Sequence, residues 1–589
     1  MIASPPTVKN IGPPAQTLSR TQVIWRTWPF FLDLCIAVLG LAAFYGILTI
    51  ARYWSSAANT TVAISHSPRM LPLYSFYSCV RILLAYLFSL AFAIGYGYFA
   101  ANHRRSEPFM IAALDILQSI PVLSFLPGVM LAMVALFPRQ QIGVELGSIL
   151  LIFTGQVWNM AFSFYSSMKS LPSELREATS IYRLSAWQRF WQLELPYSAI
   201  GLIWNSMVSV AGGWFFLMVC EMFVLGNRDF RLPGLGSYLS TASATGDTRA
   251  IIWGLCTVIG IIVATDQLVW RPLIIWSDKF KFEQVETSHR VRSPILHLLQ
   301  HSSALLFIRS KTLDPISEGI FSQLAKRSDR RRASLPGTAD KPRRGLRIAA
   351  LIIAVVVALY AAWHALAMIR DVSGAEWIML LKGAAATFLR VNAALLIASA
   401  WTIPVGVAIG FHPRLARIAQ PFAQIAASVP ATALFPVLLL GLIKLGGGLG
   451  LGSILLMLLG TQWYILFNVI AGAIAIPTDL REVSALFRFT SAQRWRTVIL
   501  PGIFPFLLTG LVTASGGAWN ASIIAEYFHL KDRTLQTLGL GAQISAASDA
   551  GQFHILLLAT IMMALMVVTV NRLVWRRLYK LSESKYVLG

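Results

Sequence analysis

Long apolar stretches alternate with short polar segments along almost the whole chain. A helix needs about 20 apolar residues to cross about 30 Å of hydrocarbon. By this measure the pattern predicts twelve membrane-spanning helices and therefore an all-α integral membrane protein. The helices are expected near residues 29–51, 79–100, 109–137, 144–166, 199–225 and 251–276, and again near 347–369, 383–411, 420–444, 450–475, 503–527 and 553–575.

The two sets of six segments are copies of each other. Gly-Ser-Ile-Leu-Leu at 147–151 recurs at 452–456, and Leu-Val-Trp-Arg at 268–271 recurs at 573–576, a constant shift of 305 positions (452 − 147). Chance similarity between apolar segments would not keep one shift over such a span. Because six crossings return the chain to the same side of the membrane, the two halves are predicted to be parallel.

These segments divide the chain into expected domains. They are a cytoplasmic N-terminal tail at 1–28, a first transmembrane domain at 29–276, a basic cytoplasmic linker at 277–346, a second transmembrane domain at 347–580 and a C-terminal tail at 581–589. The first apolar stretch is too long for a signal-peptide core and has no cleavage-like exit, so it is expected to stay as a helix. Within the linker, residues 295–308 predict either an amphipathic helix on the membrane surface or a partly ordered linker helix.

Composition agrees with a membrane protein. Hydrophobic residues make up 56% of the chain and charged residues only 13%, with a mean hydropathy of +0.64, whereas the average globular protein has about a quarter charged residues. A net charge of +23 would suggest a nucleic-acid partner in a soluble protein. Here the basic residues flank the apolar stretches, so lipid is the expected partner and nucleic acid is not.

The basic residues also predict an orientation. Alternate loops are rich in arginine and lysine, and they face the cytoplasm if both chain termini do. These loops contain, among others, Arg104, Arg105, Lys169, Arg176, Arg414, Arg417, Arg481, Arg494, Arg572 and Lys580. The opposite loops have fewer, such as Arg69, Arg139, Arg228, Arg231, Lys531 and Arg533.

One cytoplasmic loop is repeated closely. It opens Leu-Pro-Ser-Glu-Leu-Arg-Glu at 171–177 and Ile-Pro-Thr-Asp-Leu-Arg-Glu at 476–482, where a proline, a hydroxyl and an acidic residue mark the start of a helix. An apolar ridge is expected on each short helix, and such a ridge suits docking into a groove on another protein. The alternative is a helix that lies on its own bundle. The ridge residues are Leu175, Ala178 and Tyr182 in one copy and Leu480, Val483 and Phe487 in the other.

Both copies of this loop resemble the Glu-Ala-Ala motif of ABC importer permeases, in which a glycine and then Ile-x-Leu-Pro follow at fixed spacing. The match runs from Glu177 to Pro196 and from Glu482 to Pro501. Further matches to the nitrate/sulfonate/taurine-type permeases of that superfamily are Ser-Ile-Pro-Val-Leu-Ser-Phe-Leu-Pro at 119–127, Glu221, Leu-Pro-Gly-Leu-Gly at 232–236 and their echoes at 428–436, Glu526 and 539–541. The combination is specific although each piece alone is weak.

This resemblance implies that each loop is a coupling helix that docks into a separate ATPase subunit. The implied coupling residues are Glu177, Ala178, Arg183, Pro196, Glu482, Arg488 and Pro501. Arg183 and Arg488 depart from the family, which has glycine there to permit a positive φ, so either the turn is built differently or the helix continues. Arginine in both copies suggests a contact with an acidic ATPase surface, and the alternative is an arginine facing solvent or lipid phosphate.

The chain contains no Gly-x-x-x-x-Gly-Lys-Ser/Thr segment that could cradle a nucleotide phosphate. We therefore expect this chain to be a transport subunit, not an enzyme, with no catalytic residue, metal site or cofactor of its own. The resemblance implies as partners two copies of an ABC ATPase, which binds ATP and magnesium, and an extracytoplasmic solute-binding protein. The expected cargo is a small inorganic or organic anion, such as nitrate, a sulfonate or a bicarbonate-like ion, moved by alternating access that the partner ATPases drive.

Several paired residues are candidates for the translocation path or its gate. Intramembrane carboxylates are costly, which singles out Glu221 and Glu526 for a gate or structural role, unless interfacial neutralisation by Arg228 or Lys531 explains them. Arg81 and Arg390 are expected at the outer mouth, where they concentrate anions or act as interfacial anchors. The remaining candidates are Pro121 and Pro430, Trp158 and Trp463, Gly212 and Gly517, and Trp214 and Trp519. The polar residues near these pairs differ between the halves. A pore with a nearly twofold-symmetric gate that carries one small solute would need such an asymmetric lining.

Two other classes compete with an ATP-driven permease. A twelve-helix secondary transporter also has parallel halves, but it would need more intramembrane carboxylates for proton coupling. A membrane-embedded enzyme would need clustered catalytic groups, whereas the nine histidines are scattered. The repeated loop favours the permease.

Overall fold

The computed structural model describes residues 63–138, 140–182, 184–225, 228–280, 362–530 and 533–585, together with a few isolated residues. The first described half contains α1 (Leu71–Asn102), α2 (Glu107–Ser119), α3 (Leu126–Leu136), α4 (Gln141–Lys169), α5 (Ser173–Ile181), α6 (Ala186–Glu221), β1 (Val224–Leu225), β2 (Arg228–Asp229), α7 (Leu235–Thr245) and α8 (Thr248–Ser277). The second half repeats this order.

Its elements are α9 (Gly374–Phe411), α10 (Pro413–Ser428), α11 (Ala431–Lys444), α12 (Leu449–Ala475), α13 (Thr478–Leu486), α14 (Ser491–Ala525), β3 (Tyr527–Leu530), β4 (Arg533–Gln536), α15 (Leu540–Ala550) and α16 (Phe553–Ser582). Each pair of strands forms an antiparallel hairpin. Within the described residues, eight helices are long and apolar enough to cross a membrane. The expected all-α membrane fold is confirmed.

The third predicted span of each half is interrupted at its first proline and is not one helix. In the first half α2 ends at Ser119, a 3₁₀ turn occupies Val122–Phe125, and α3 begins at Leu126. The cause is Pro121, because the residue before a proline is disfavoured in the α region, and Ile120 indeed has a ψ of 125°. Pro430 breaks the second half in the same way, between α10 and α11. The predicted spans at 29–51 and 347–369 lie mostly outside the described residues.

The duplication extends to local irregularities. Both α6 and α14 contain a π-helical turn, at Phe190–Glu194 and Trp495–Ile499. Pro196 and Pro501 follow these turns at the second helical position of the next segment. Since proline lacks an N–H and its ring crowds the preceding turn, a π turn is a local way to keep the helix continuous. The implied coupling prolines are thus placed where each helix changes its winding.

Packing is the same in the two halves. In each, the fourth-span helix lies at the centre, so α4 packs between α1 and α6 and α12 packs between α9 and α14. The halves meet through reciprocal contacts, since α2 touches α16 and α8 touches α10. The side of the molecule that carries α5 and α13 is the loop face, and the side that carries the two β-hairpins is the hairpin face.

Candidate functional site

A buried carboxylate ends the long helix α6 at the hairpin face. Glu221 is fully buried and accepts hydrogen bonds from the Ser78 hydroxyl at 2.7 Å and from the Gly236 N–H at 2.7 Å. It also pairs with Arg81 at 2.7 Å. A carboxylate removed from water needs such partners, and here it ties α1, α6 and the start of α7 together.

Arg81 is not a free cation at a mouth, as one sequence-based expectation had it. Its side chain is 2% exposed, and it binds both carboxylate oxygens of Glu145 at 2.6 Å in addition to Glu221. A further hydrogen bond goes to the Pro233 carbonyl. The guanidinium is therefore committed to protein partners rather than to a solute, and the cation that neutralises Glu221 is Arg81, not Arg228.

The second half has the same arrangement with one acid fewer. Glu526 is fully buried and accepts hydrogen bonds from Thr387 at 2.8 Å, Arg390 at 2.9 Å and the Gly541 N–H at 2.9 Å. Position 450, which the 305 shift matches to Glu145, is a glycine. The Arg390 side chain is 16% exposed, and its remaining bonds go to neutral oxygens. Lys531, the expected neutralising residue, lies outside the described residues.

The Gly-Leu-Gly segments let this carboxylate approach the start of the next helix. A Cβ atom on Gly539 would lie 2.0 Å from a Glu526 oxygen, and one on Gly541 would lie 2.4 Å from the backbone oxygen of Ser522. The N–H groups at the first turn of α15 are unpaired within the helix, so the carboxylate also satisfies them and the positive end of the helix dipole.

We expect Gly541→Ala to destabilise the protein strongly, by about 2 kcal/mol or more, because the obstructing Ser522 oxygen belongs to the backbone and cannot rotate away. The matched control is Gly516→Ala in α14, where a Cβ meets nothing within 4 Å. That change should be neutral or stabilising by about 0.5–1 kcal/mol. Unfolding temperatures of the purified variants in detergent measure the difference, and equal temperatures would contradict the steric argument.

On the loop face, α5 and α13 are anchored by equivalent arginines. Arg176 donates to the Met168 carbonyl at the end of α4, and Arg481 donates to the Ala473 carbonyl at the end of α12. Glu177 and Glu482, the implied coupling acids, lie at the surface, and Ala178 is half-buried. Because the two acids are not enclosed by the bundle, they are accessible to a partner.

Both short helices end in exposed apolar residues. Ile181 and Tyr182 are 77% and 79% exposed, and Leu486 and Phe487 are 79% and 73% exposed. The predicted ridge is accordingly most exposed at its C-terminal end, while Leu175 and Ala178 are half-buried against the rest of the protein. Two adjacent exposed apolar side chains thus lie at the same place in both halves.

The turn after α13 settles how arginine replaces the expected glycine. The helix ends at Leu486, and Arg488 adopts a φ of +50°, the left-handed conformation that glycine would take freely. Of the two alternatives, a continuing helix is excluded for this copy, and the turn keeps the conformation that glycine would favour. Arg183, its counterpart, lies outside the described residues.

We expect Arg488→Gly to stabilise the fold by about 1 kcal/mol, because a left-handed conformation costs a non-glycine residue about 1–2 kcal/mol and glycine loses part of that gain through its freer unfolded chain. Arg488→Ala keeps the strain while removing the charge, which makes it the matched control. A higher unfolding temperature for the glycine variant only, measured in detergent, is the expected result. No difference between the two variants would contradict the strain.

A cavity of about 230 Å³ lies between the halves at the level of the helix midpoints. Half 1 contributes α6, including Gly212, and half 2 contributes α10, α12 and α14. Four of the predicted path residues line it, namely Gly212, Pro430, Trp463 and Gly517. The structure thus brings the pseudo-symmetric glycines to one space, where their lack of a side chain leaves room.

Other predicted path residues lie elsewhere. Trp214 and Trp519 are 3% and 1% exposed and belong to the core. Trp158 packs inside half 1, and Pro121 begins the 3₁₀ turn at Val122–Phe125. Arg81, Glu221, Arg390 and Glu526 form the two buried ion-pair clusters at the hairpin face. The clusters hold helices together and do not line the cavity.

A second cavity, of about 430 Å³, lies at the hairpin face between the halves. Tyr527 lines it and donates to Asp549 at 2.8 Å, and His529 lies 3.0 Å from the same carboxylate. Burial, and then the hydrogen bond to Asp549, raises the pKa of Tyr527, so its hydroxyl stays a donor. Leu123 also lines this cavity, and its N–H donates at 3.4 Å to the Oδ1 atom of Asn520, which lines the first, inner cavity. The turn at Val122–Phe125 of half 1 therefore lies between the two cavities.

The sequence reasoning missed Glu145, Ser78 and Thr387 of the clusters and every aromatic residue of the cavity except Trp463. Glu145 was detectable, because it is an ionisable residue at the start of a predicted span. The hydroxyl residues precede Arg81 and Arg390 by three positions in both copies, a helical spacing that also predicts a shared face. Nothing in the pattern indicated which aromatic residues would face the other half.

Two stretches of the chain, residues 93–269 and 402–585, match the family described as binding-protein-dependent transport system inner membrane component. The chain belongs to this family. As a permease it is a transport component of the inner membrane and spans it several times. This confirms the expected class, and the alternative of a secondary transporter is not favoured. The paired matches also confirm the duplication, and the family explains why the chain needs no catalytic site of its own.

Curated relatives each match about a quarter to a third of the chain. The nitrate import permease protein NrtB of Leptolyngbya laminosa is 27% identical over 32% of this chain and 64% of its own length. The taurine transport system permease protein TauC of Escherichia coli K12 is 30% identical over 28% of this chain and 56% of its own length. The bicarbonate transport system permease protein CmpB of Synechococcus elongatus is 28% identical over 24% and 49%. The chain thus spans about half to two thirds of these relatives.

Proposed function

We propose that this permease forms, within a single chain, the whole membrane pathway of an importer for a small solute, driven by two separate ATPase subunits. The observation that carries the proposal is the pair of exposed apolar helix ends, Ile181–Tyr182 and Leu486–Phe487, at equivalent places on one face. Two equivalent docking surfaces call for two copies of one partner, each acting on one half. The relatives, which are named for nitrate, taurine and bicarbonate, support an anionic solute.

In this proposal the loop face is cytoplasmic, and α5 and α13 are the coupling helices. Glu177, Glu482 and the exposed Arg488 contact the ATPase, which binds ATP and magnesium. The chain itself holds no cofactor. The family description names a binding-protein-dependent system, which supports a solute-binding protein on the hairpin face. The basic segment between the halves, around 277–346, is a cytoplasmic linker that lets both halves stay in one chain.

Alternating access would involve the contact between the halves. The turn at Val122–Phe125 of half 1 lies against α14 of half 2, and Thr560 donates to the Ser124 carbonyl across the same joint at 3.0 Å. A movement of either coupling helix would be passed through the long helices α4 and α6, or α12 and α14, to this joint. Opening it would connect the hairpin-face cavity with the inner one.

The test is reconstitution of the permease in lipid vesicles with and without its ATPase and binding protein. Uptake of a radiolabelled solute should require all three components and ATP, and ATP hydrolysis should rise with solute-loaded binding protein. Equal uptake by the permease alone, without nucleotide, would refute the proposal. The matched control is an ATPase variant that binds ATP without hydrolysing it, because the complex then assembles but no hydrolysis can drive uptake.

A further inference from the structure

We infer that the cavity between α6 and α12 receives the ring of an aromatic organic solute, and not a bare inorganic oxyanion. The inference rests on the proposed function, since it assumes that a solute passes between the halves, and it narrows the class of that solute. It depends on three observations: the aromatic wall, the absence of charge on the described lining, and the difference between the two halves.

Aromatic rings form much of the cavity wall. Phe215 and Phe216 of α6 face the space from half 1, and Trp463, Tyr464 and Phe467 of α12 face it from half 2. Such rings interact best with another flat ring, in offset-stacked or edge-to-face arrangements that add about 0.5–1.5 kcal/mol beyond the burial of area. A small inorganic anion has no ring that could stack on this surface.

Among the residues that the structure describes, no Lys, Arg, Asp or Glu side chain lines the cavity. The Asp266 carboxylate lies 3.3 Å from the amide nitrogen of Gln424, a lining residue, and it pairs with Arg271 at 3.4 Å, so this pair gives the cavity no net positive charge. An inorganic anion that sheds its water needs cationic or several charge-assisted donors to replace it, because an isolated charge in an apolar setting is very costly. The two arginines that resemble such donors, Arg81 and Arg390, are bound to carboxylates at the hairpin face.

Half 1 gives the cavity a wholly apolar side, whereas half 2 adds polar groups to its aromatic ones. The 305 shift matches Phe215 to Asn520 and Phe216 to Ala521, and all four residues line the same space. The Tyr464 hydroxyl lies 3.7 Å from the Cβ position of Gly212, so it reaches across to α6. A ring that carries one hydrogen-bonding group fits this arrangement, with the ring toward Phe215 and the polar group toward Asn520 and Tyr464.

The volume limits the size of the solute. At about 230 Å³ the cavity is smaller than the roughly 300–1,000 Å³ typical of sites for drug-sized ligands. One ring with a single substituent fits this space. Gly212 provides part of the room, since a Cβ there meets only the Tyr464 hydroxyl, at 3.7 Å, and Gly517 lets α14 lie close to Thr461 and Tyr464 of α12.

The test compares three single-ring probes with their ringless analogues on the complete transporter in lipid nanodiscs. The pairs are benzenesulfonate and methanesulfonate, benzoate and acetate, and benzamide and acetamide, with nitrate and bicarbonate alongside. Calorimetric titration should give binding at least tenfold tighter for the ring member in one or more pairs. If every ring probe binds no tighter than its ringless analogue, or if nitrate or bicarbonate binds most tightly, the inference is wrong.

Variants locate the binding in this cavity. Gly212→Leu should weaken ring-probe binding at least tenfold by filling the space, whereas Gly95→Leu on α1, where a Cβ meets nothing within 4 Å, should leave it unchanged. Phe215→Asn introduces into half 1 the residue found at the matched position of half 2, Asn520, and should weaken ring-probe binding without filling the cavity. It replaces Gly212→Leu as the test if that variant does not fold. Unchanged binding in both folded variants would overturn the inference.

These outcomes are separate from failure of the proposed function. If ATP hydrolysis and uptake respond to nitrate or bicarbonate but to no ring probe, the inferred aromatic solute is wrong and the proposed importer function still holds. If ring probes bind but no ATP-dependent uptake occurs, the proposed importer function is wrong instead.

Discussion

Replacing Arg81 by methionine is expected to destabilise the permease by about 3–5 kcal/mol, because it leaves two buried carboxylates without their cation. Glu145 and Glu221 are both completely buried, and Arg81 makes two hydrogen bonds to the first and one to the second. The loss should appear as a much lower unfolding temperature in detergent and a small monodisperse fraction after purification.

The second half supplies the matched control. Arg390→Met removes the equivalent arginine, but only Glu526 loses a cation, and Thr387 and the Gly541 N–H still bind that carboxylate. Arg390 is also partly exposed, so water can replace it. We expect a cost of about 1–3 kcal/mol, the range for a hydrogen bond to a charged group.

A second control tests whether stability depends on the number of carboxylates in the cluster or on the loss of the arginine. Glu145→Met gives half 1 the one-acid composition that half 2 already has, with Gly450 at the matched position. This variant should be far milder than Arg81→Met, since Arg81 keeps Glu221 as its partner. If Arg81→Met proved no worse than Glu145→Met and Arg390→Met, the buried cluster would not be a structural tie between the helices.

The double variant Tyr182→Ser, Phe487→Ser is expected to abolish ATP-driven uptake while leaving the fold intact. Both side chains are more than 70% exposed, at 79% and 73%, so their removal costs the isolated chain little. Buried aromatic anchors at an interface contribute about 2 kcal/mol or more each, which corresponds to at least roughly thirty-fold in affinity per site. Co-purification with the ATPase and solute-stimulated ATP hydrolysis measure the loss.

Leu445→Ser is the control for this pair. Leu445 is 86% exposed and follows α11 on the opposite face, so its replacement makes an equally exposed apolar-to-polar change away from the docking surfaces. It should leave ATPase affinity unchanged. The single variants should each lose one of the two surfaces and retain partial association. If the double variant binds the ATPase with wild-type affinity, these helix ends do not dock the ATPase.

The helices that the apolar pattern predicts are largely present in the described part of the chain, since eight long helices occur where long apolar stretches occur. The exceptions follow from single residues. Pro121 and Pro430 break the third span of each half because proline restricts the residue before it and removes an N–H, effects that window averages of hydropathy do not contain. Arg488 shows the reverse case, in which a turn keeps its left-handed conformation although the residue disfavours it.

The candidate site was predictable only in part. The repeated loop indicated both exposed helix ends, because a local motif at helical spacing determines its own surface. The Glu221 and Glu526 positions were also singled out correctly as ionisable residues in apolar surroundings, but their partners were not. Arg81 and Glu221 are 140 positions apart, and no local pattern connects residues at that separation.

By itself, the sequence determined that this chain is a duplicated membrane permease with paired loop helices, since hydropathy, periodicity and the 305 shift are properties of neighbouring or matched residues. Only the tertiary structure decided that its paired arginines are neutralised by buried carboxylates, and that aromatic and amide side chains of different halves line one cavity whose described lining is uncharged. The physical reason is that these contacts, within each half and between the halves, depend on how neighbouring helices are rotated toward one another, and helix packing, not helix formation, determines that rotation.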